Sequence, residues 1–165
     1  MDQPLPVVDA VLLSWDKNLG YAKKLVADVP ADRMVYQPAA NMNHPAWVLC
    51  HLNAYHDVIV SLVRGQRFDD PKDHRFGMKS KPVADLNQYP SRADLIDAFA
   101  RGHGLVAAAL QSAGPDVWTR ATELERWKPV LPTVGQALVY LMILHESTHL
   151  GQLSAWRRVQ GMPGV

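Results

Sequence analysis

His145, Glu146 and His149 are the residues of this 165-residue chain whose types and spacing most directly imply chemistry. Two histidines four apart on a helix stand about 6 Å apart at Cβ, near enough for both rings to reach one metal ion. The run His145-Glu146-Ser147-Thr148-His149 places a carboxylate between them, the short pattern in which two imidazoles hold a metal and a glutamate serves as base. From Leu150 to Val165 there is no His, Asp, Glu or Cys, so any remaining ligand must come from upstream. His51 is the upstream candidate, because it falls on the apolar stripe formed by Trp47, Val48, Tyr55, Val58 and Leu62. A core-facing histidine by itself is more often a hydrogen-bonded structural residue than a ligand. The His145/His149 pair is what makes a shared site with His51 the sharper reading. Three neutral imidazoles suit a borderline divalent ion such as Zn²⁺, Ni²⁺ or Fe²⁺ without choosing among them. Three protein ligands also leave a position for water or a substrate atom, an arrangement that ionises a thiol or lowers the pKa of water towards ~7.

The neighbours of these histidines carry two readings each. Glu146 lies about 100° round the helix from His145, placed either to orient water as a general base or to pair with another helix. Gln152, one turn after His149, orients a ligand or substrate, or is an amide satisfied by a neighbouring helix. Tyr55, one turn from His51, donates to a bound substrate or is simply core. Cys50 points about 100° away from His51 and is not counted as a ligand. His56 falls about 140° from the His51 stripe, beside Asn53 and Asp57, and is expected on the solvent side. His103 sits at the edge of its stripe between Gly102 and Gly104, where an interfacial structural role is expected. His74 is expected to be an exposed loop residue.

Four amphipathic helices must position these groups. The first spans Pro6 to about Val29, with Val8, Leu12, Trp15, Leu19, Ala22 and Val26 in helical period and Pro30 behind it. The second runs from about Pro45 to Arg64, with proline in its first turn and Asn43 or His44 as cap. The third opens at Ser91 with Asp94 three residues on, and Leu95, Phe99, Gly102, Val106 and Leu110 form its inner face. Gly102 and Gly104 weaken that helix, and close packing of backbone against a neighbour is the expected reason. The fourth starts at Thr133 with Gln136 in capping-box spacing and stops at Gly161 and Pro163. Residues 65–90 and 116–132 are long connections, the first a crossover or lid over one end of the bundle and the second placing Trp118, Glu123, Glu125 and Trp127 near a pocket mouth, or leaving the two acids in a solvated loop, their usual place. No alternation of strand length occurs. The expectation is a single all-α domain over residues 1–165, a four-helix bundle with long crossover connections.

Composition sets further bounds. Lys plus Arg is 17 against 16 Asp plus Glu, which leaves no net field to draw nucleic acid or an anionic membrane. One cysteine excludes an internal disulfide and suits a reducing compartment. Met1-Asp2-Gln3-Pro4 lacks the basic and apolar regions of a signal peptide, and no apolar run approaches a membrane span, so a soluble cytoplasmic protein acting on a small molecule is expected. Flat apolar bundle faces and five tryptophans point to a homodimer.

Two segments, Trp47-Val-Leu-Cys-His51-Leu and His145-Glu-Ser-Thr-His149-Leu-Gly-Gln152, resemble the DinB-like superfamily of metal-dependent helical bundles. The resemblance covers most of the chain in layout and these two segments in motif. It implies a metal site made by one histidine of the second helix and two of the last, which map onto His51, His145 and His149. Leu150 stands where the family often has arginine, so no role is carried over to a basic residue there. Better-understood branches of the family resemble transferases and isomerases that use low-molecular-weight thiols such as mycothiol or bacillithiol, and iron-binding domains of sulfoxide synthases. The leading expectation is therefore a metal-dependent thiol transferase or hydrolase. The alternative is a bundle that binds metal or a small molecule without turnover. A zinc protease ranks third, since the downstream ligand of that class is missing and no edge strand is evident to hold a peptide.

Overall fold

The computed structural model describes residues 6–165; the leader reading at Met1–Pro4 lies outside them. Four helices dominate. Helix α1 spans Pro6–Ala27, α2 spans Pro45–Arg64 and α3 spans Arg92–Gln111. Helix α4 is one continuous rod of three parts: α-helical Val134–Val139, π-helical Tyr140–His145 and α-helical Glu146–Val159. Among the described residues there is no strand, only an isolated antiparallel bridge between Ala121 and Thr133.

The ends of these helices follow local chemistry. The His44 ring accepts the Trp47 amide at 3.2 Å to cap α2, and Gly65 closes that helix at φ 65°, a left-handed conformation that costs glycine nothing. Ser91 Oγ accepts the Asp94 amide to open α3. Thr133 and Gln136 form the capping box of α4. The long connections carry short 3₁₀ turns at Pro71–Asp73, Leu86–Gln88 and Pro115–Trp118.

Helix α2 is the centre of the molecule. By length and apolar composition it would pass for a membrane span, contrary to the expectation that no run comes near one, but most of it is buried inside the bundle. Two of its faces are covered: one by α4, the other by α3. That second contact corrects the placement of His56, which is 4% exposed and packs against α3 rather than facing solvent. Two apolar clusters fill the interior, one around Trp15, Val58, Val106, Leu138 and Met142, the other around Leu25, Trp47, Leu49, Phe99, Leu153 and Trp156.

The end of α4 is fixed by a buried arginine. Arg157 donates to the Leu25 carbonyl at 2.9 Å, to the Pro163 carbonyl at 2.9 Å and to both carboxylate oxygens of Asp28. Asp28 is exposed, so its charge stays solvated if the arginine is lost, and the cost falls on the two orphaned carbonyls. Arg157→Met is expected to destabilise by about 2 kcal/mol, seen as a thermal midpoint roughly 4–8 °C lower.

Candidate metal centre

The π-helical stretch of α4 ends on His145, the first of its two candidate ligands. A π turn breaks the regular ladder of carbonyl bonds, and the freed groups find side-chain partners. Asn18 of α1 donates to the Met142 carbonyl at 3.3 Å, and Thr148 Oγ1 donates to the Leu144 carbonyl at 2.7 Å. At the end of this stretch and one turn on, His145 and His149 face α2, while Glu146 turns into the interior.

His51, His145 and His149 converge. One ring nitrogen from each lies within 4.8 Å of those of the other two. His51 Nε2 is 3.0 Å from His145 Nε2, and the His51 and His149 ring centres are 4.5 Å apart. The outer nitrogens decide which way the lone pairs point. His51 Nδ1 donates to the Phe76 carbonyl at 2.6 Å, and His149 Nδ1 donates to Gln152 Oε1 at 3.0 Å. Carbonyl and amide oxygens accept only, so both rings carry their proton on Nδ1 and present a bare Nε2 inward. Burial and the neighbouring imidazoles hold His51 at about 4 and His145 at about 3, and burial lowers His149 as well. All three are neutral at neutral pH, which is the ligand form. The donor set therefore fits a divalent ion, with outer partners of the kind that orient metal-bound imidazoles.

The three rings stand at the floor of an open cavity of about 520 Å³. Trp47 stacks on His51 at 4.8 Å between ring centres and donates from Nε1 to Ser80 Oγ at 3.0 Å, so the crossover of residues 65–90 does wrap this end of the bundle. Tyr55 lies with its ring 4.6 Å from that of His145, and burial raises its phenol, which therefore stays protonated and able to donate. Trp127 lines the wall, as expected of the second long connection. Its acids take the solvated-loop reading: Glu123 and Glu125 are exposed, and Glu125 pairs with Lys128. Arg126, which sequence reasoning passed over, reaches the cavity instead. It is braced by a bidentate pair with Asp70, with Nε–Oδ2 and Nη2–Oδ1 both at 2.7 Å.

Gln152 is exposed rather than buried, and it holds His149 while accepting from Asn43 at 3.0 Å. Gln152→Leu is expected to weaken divalent-ion binding by about 10–100-fold with no change in fold, measured by competition with a chromogenic chelator. Cys50 is buried outside the cavity, and burial lifts its thiol to about 12, in keeping with its exclusion as a ligand.

Glu146 is where the structure departs from the catalytic reading. It is 2% exposed, does not line the cavity, and its Oε2 lies 3.2 Å from His103 Nε2 and 4.0 Å from His56 Nε2. Side chains about 100° apart on one helix serve different spaces, so the carboxyl beside His145 in sequence is turned away from the three imidazoles. His103 is the interfacial residue expected, stacked on Trp15 at 3.7 Å between ring centres. His44 Nε2 donates to the Val83 carbonyl at 3.1 Å, pinning the crossover, and His74 is exposed as expected.

Among solved structures, a conserved protein from Enterococcus faecalis matches with a TM-score of 0.74 over 94% of this chain and 97% of its own, at 16% identity, a likeness of fold alone. No curated protein matches the sequence. The family model of the DinB superfamily matches residues 14–153, which include all three histidines of the cavity floor and both segments that carry the motif. The chain belongs to the DinB superfamily.

Proposed function

We propose that the cavity is the active site of a metal-dependent enzyme, and that its reaction is thiol transfer rather than hydrolysis. The observation that carries this choice is the cavity's inventory: three imidazoles, two phenols and a guanidinium, with no carboxylate among its lining side chains. A bound metal lowers the pKa of water only to about 7, so hydrolysis gains from a positioned base, the role Glu146 fails to fill. A thiol has a much lower pKa than water, and metal coordination alone suffices to deprotonate it. A divalent ion held by His51, His145 and His149 supplies that Lewis acidity and an open position.

The chain's own residues do the rest. Phe76 and Gln152 hold the rings of His51 and His149 so that their lone pairs need no reorientation on binding. Tyr55 offers a protonated hydroxyl beside the imidazoles, suited to a carbonyl or leaving-group oxygen. Trp47, Trp127, Leu131 and Leu141 exclude water from an apolar acceptor, and Arg126 complements a negative group on it. The opening of the cavity to solvent favours turnover over storage.

The test is thiol consumption with mycothiol, bacillithiol, cysteine and glutathione against a panel of anionic, apolar electrophiles. Metal-dependent loss of thiol, abolished in His149→Ala, is the expected result. A protein that binds metal normally yet consumes none of these thiols, while hydrolysing an ester or amide panel, would replace transfer with hydrolysis.

The remaining readings rest on less. Val7, Val130, Val139, Tyr140 and Leu144 expose apolar surface along one shallow groove, which supports pairing of two copies, checked by sedimentation. The buried free thiol is in keeping with a cytoplasmic setting, and a small molecule is the partner the cavity suits.

A further inference from the structure

The second cluster, His56, His103 and Glu146, belongs to no part of the cavity. We propose that it is a second, sealed metal site at the centre of the bundle, taking a divalent ion between one side chain each from α2, α3 and α4.

Geometry comes first. One ligand atom from each residue lies within 4.8 Å of those of the other two, and Glu146 Oε2 lies 3.2 Å from His103 and 4.0 Å from His56. Donors at metal–ligand distances of 2.0–2.2 Å stand about 3–3.6 Å from each other, so small side-chain shifts close the set on an ion. All three residues are at least 96% buried by exposed area, at 4%, 2% and 2% exposure.

The unpaired atoms are the second observation. His56 Nε2, His103 Nδ1 and Glu146 Oε1 are buried with no hydrogen-bond partner. Buried polar atoms in native proteins are nearly always satisfied, and an orphaned imidazole nitrogen that faces a buried carboxylate, as His56 Nε2 does, marks an ion or water between them. A cation held by Glu146 Oε2 and His103 Nε2 gives the orphaned His56 Nε2 its partner, while His103 Nδ1 lies outside the set. It also offsets the cost of burying the carboxylate charge, which several kcal/mol of desolvation would otherwise oppose.

The surroundings are built to hold the rings. Gly102 of α3 presses against the His56 ring so closely that a Cβ there would lie 1.9 Å from Nδ1. Trp15 stacks on His103 and meets His56 edge-on, and Phe99 closes the other side at 4.4 Å from His103 and 5.2 Å from His56. Trp15 and Phe99 belong to different apolar clusters, so the site sits where the two halves of the core meet. Such an ion ties three helices together, and its remaining position is sealed from solvent and substrate by the core, unlike that of the open three-histidine floor.

Burial dictates the test. An ion at the cavity exchanges freely with solvent, whereas one at the core enters during folding and leaves on unfolding. The protein is unfolded with chelator, refolded with Co²⁺, treated in the folded state with EDTA, and assayed for retained cobalt by elemental mass spectrometry and visible absorption. About one EDTA-resistant ion per chain is expected in wild type and in His51→Ala, and none in Glu146→Leu or Glu146→Gln, both of which keep the EDTA-labile ion. Folded wild type that retains no cobalt after EDTA would overturn the proposal without any variant. So would resistant cobalt that survives both Glu146 substitutions.

Discussion

Replacing Gly102 by alanine is expected to lower the stability of this protein by about 3 kcal/mol, a fall in thermal midpoint of roughly 6–12 °C. Alanine ordinarily stabilises a helix interior by about 1 kcal/mol over glycine, so the sign itself is diagnostic. The reason for the reversal is the contact: the new Cβ would lie 1.9 Å from His56 Nδ1, 2.6 Å from Cγ and 2.8 Å from Cε1. The imidazole cannot swing aside, because Trp15, Phe99 and His103 surround it. Gly104, two residues on, has nothing within 4 Å of its missing Cβ and is exposed. Gly104→Ala is expected to leave stability unchanged or raise it by up to about 1 kcal/mol. Thermal melts of the two variants therefore separate in opposite directions. Equal midpoints would show that α3 does not pack against His56 in this way.

Replacing His145 by alanine is expected to cut divalent-ion affinity at the cavity by roughly a thousandfold, about 4 kcal/mol. His145 completes a triangle of rings: its centre lies 5.1 Å from that of His51 and 4.8 Å from that of His149. Removing it leaves two imidazoles on different helices with no third to complete the set. The apo protein should lose little, since the half-buried ring borders an open cavity that water refills. The discriminating readout is stabilisation by added metal. Ligand at 100 times its dissociation constant raises wild-type stability by about 2.7 kcal/mol, or roughly 5–11 °C in midpoint. In His145→Ala the cavity's share of that rise should vanish. A structural histidine would instead lower the midpoint of the apo protein and leave the response to metal intact.

How much of this was legible without coordinates follows from what periodicity can express. Caps and stops are local chemistry, so Thr133 with Gln136, Ser91 with Asp94, and Pro45 behind His44 placed three of the four helices closely. Four-residue spacing places His145 and His149 on one face regardless of tertiary context. His56 was misplaced because a single-stripe reading assumes one buried face, whereas α2 is covered on two. The signal that would have placed it was present in Gly102: a glycine inside a helix marks close approach, and the approaching group is His56 itself. Glu146 was drawn toward the cavity by its motif, although the buried positions Met142, Glu146, Leu150 and Leu153 run along one stripe of α4. The other reading, a partner on another helix, is the one that matches its contact with His103 of α3. The π turn left no mark in composition: the side chain that meets its Met142 carbonyl, Asn18, is distant in sequence. Arg126 and Asp70 meet across two loops, a pairing that no periodicity encodes.

The central claim is that three imidazoles from two helices share one ion at the floor of the cavity. Its most direct test is metal content by elemental mass spectrometry on tag-free protein, comparing wild type with His51→Ala, His145→Ala and His149→Ala, each checked for retained helical circular dichroism. The expected result is a near-stoichiometric, chelator-exchangeable ion in wild type that is lost in every one of the three variants. Wild type that binds no exchangeable divalent ion, or an exchangeable ion that persists when any one of the three histidines is removed, would contradict it.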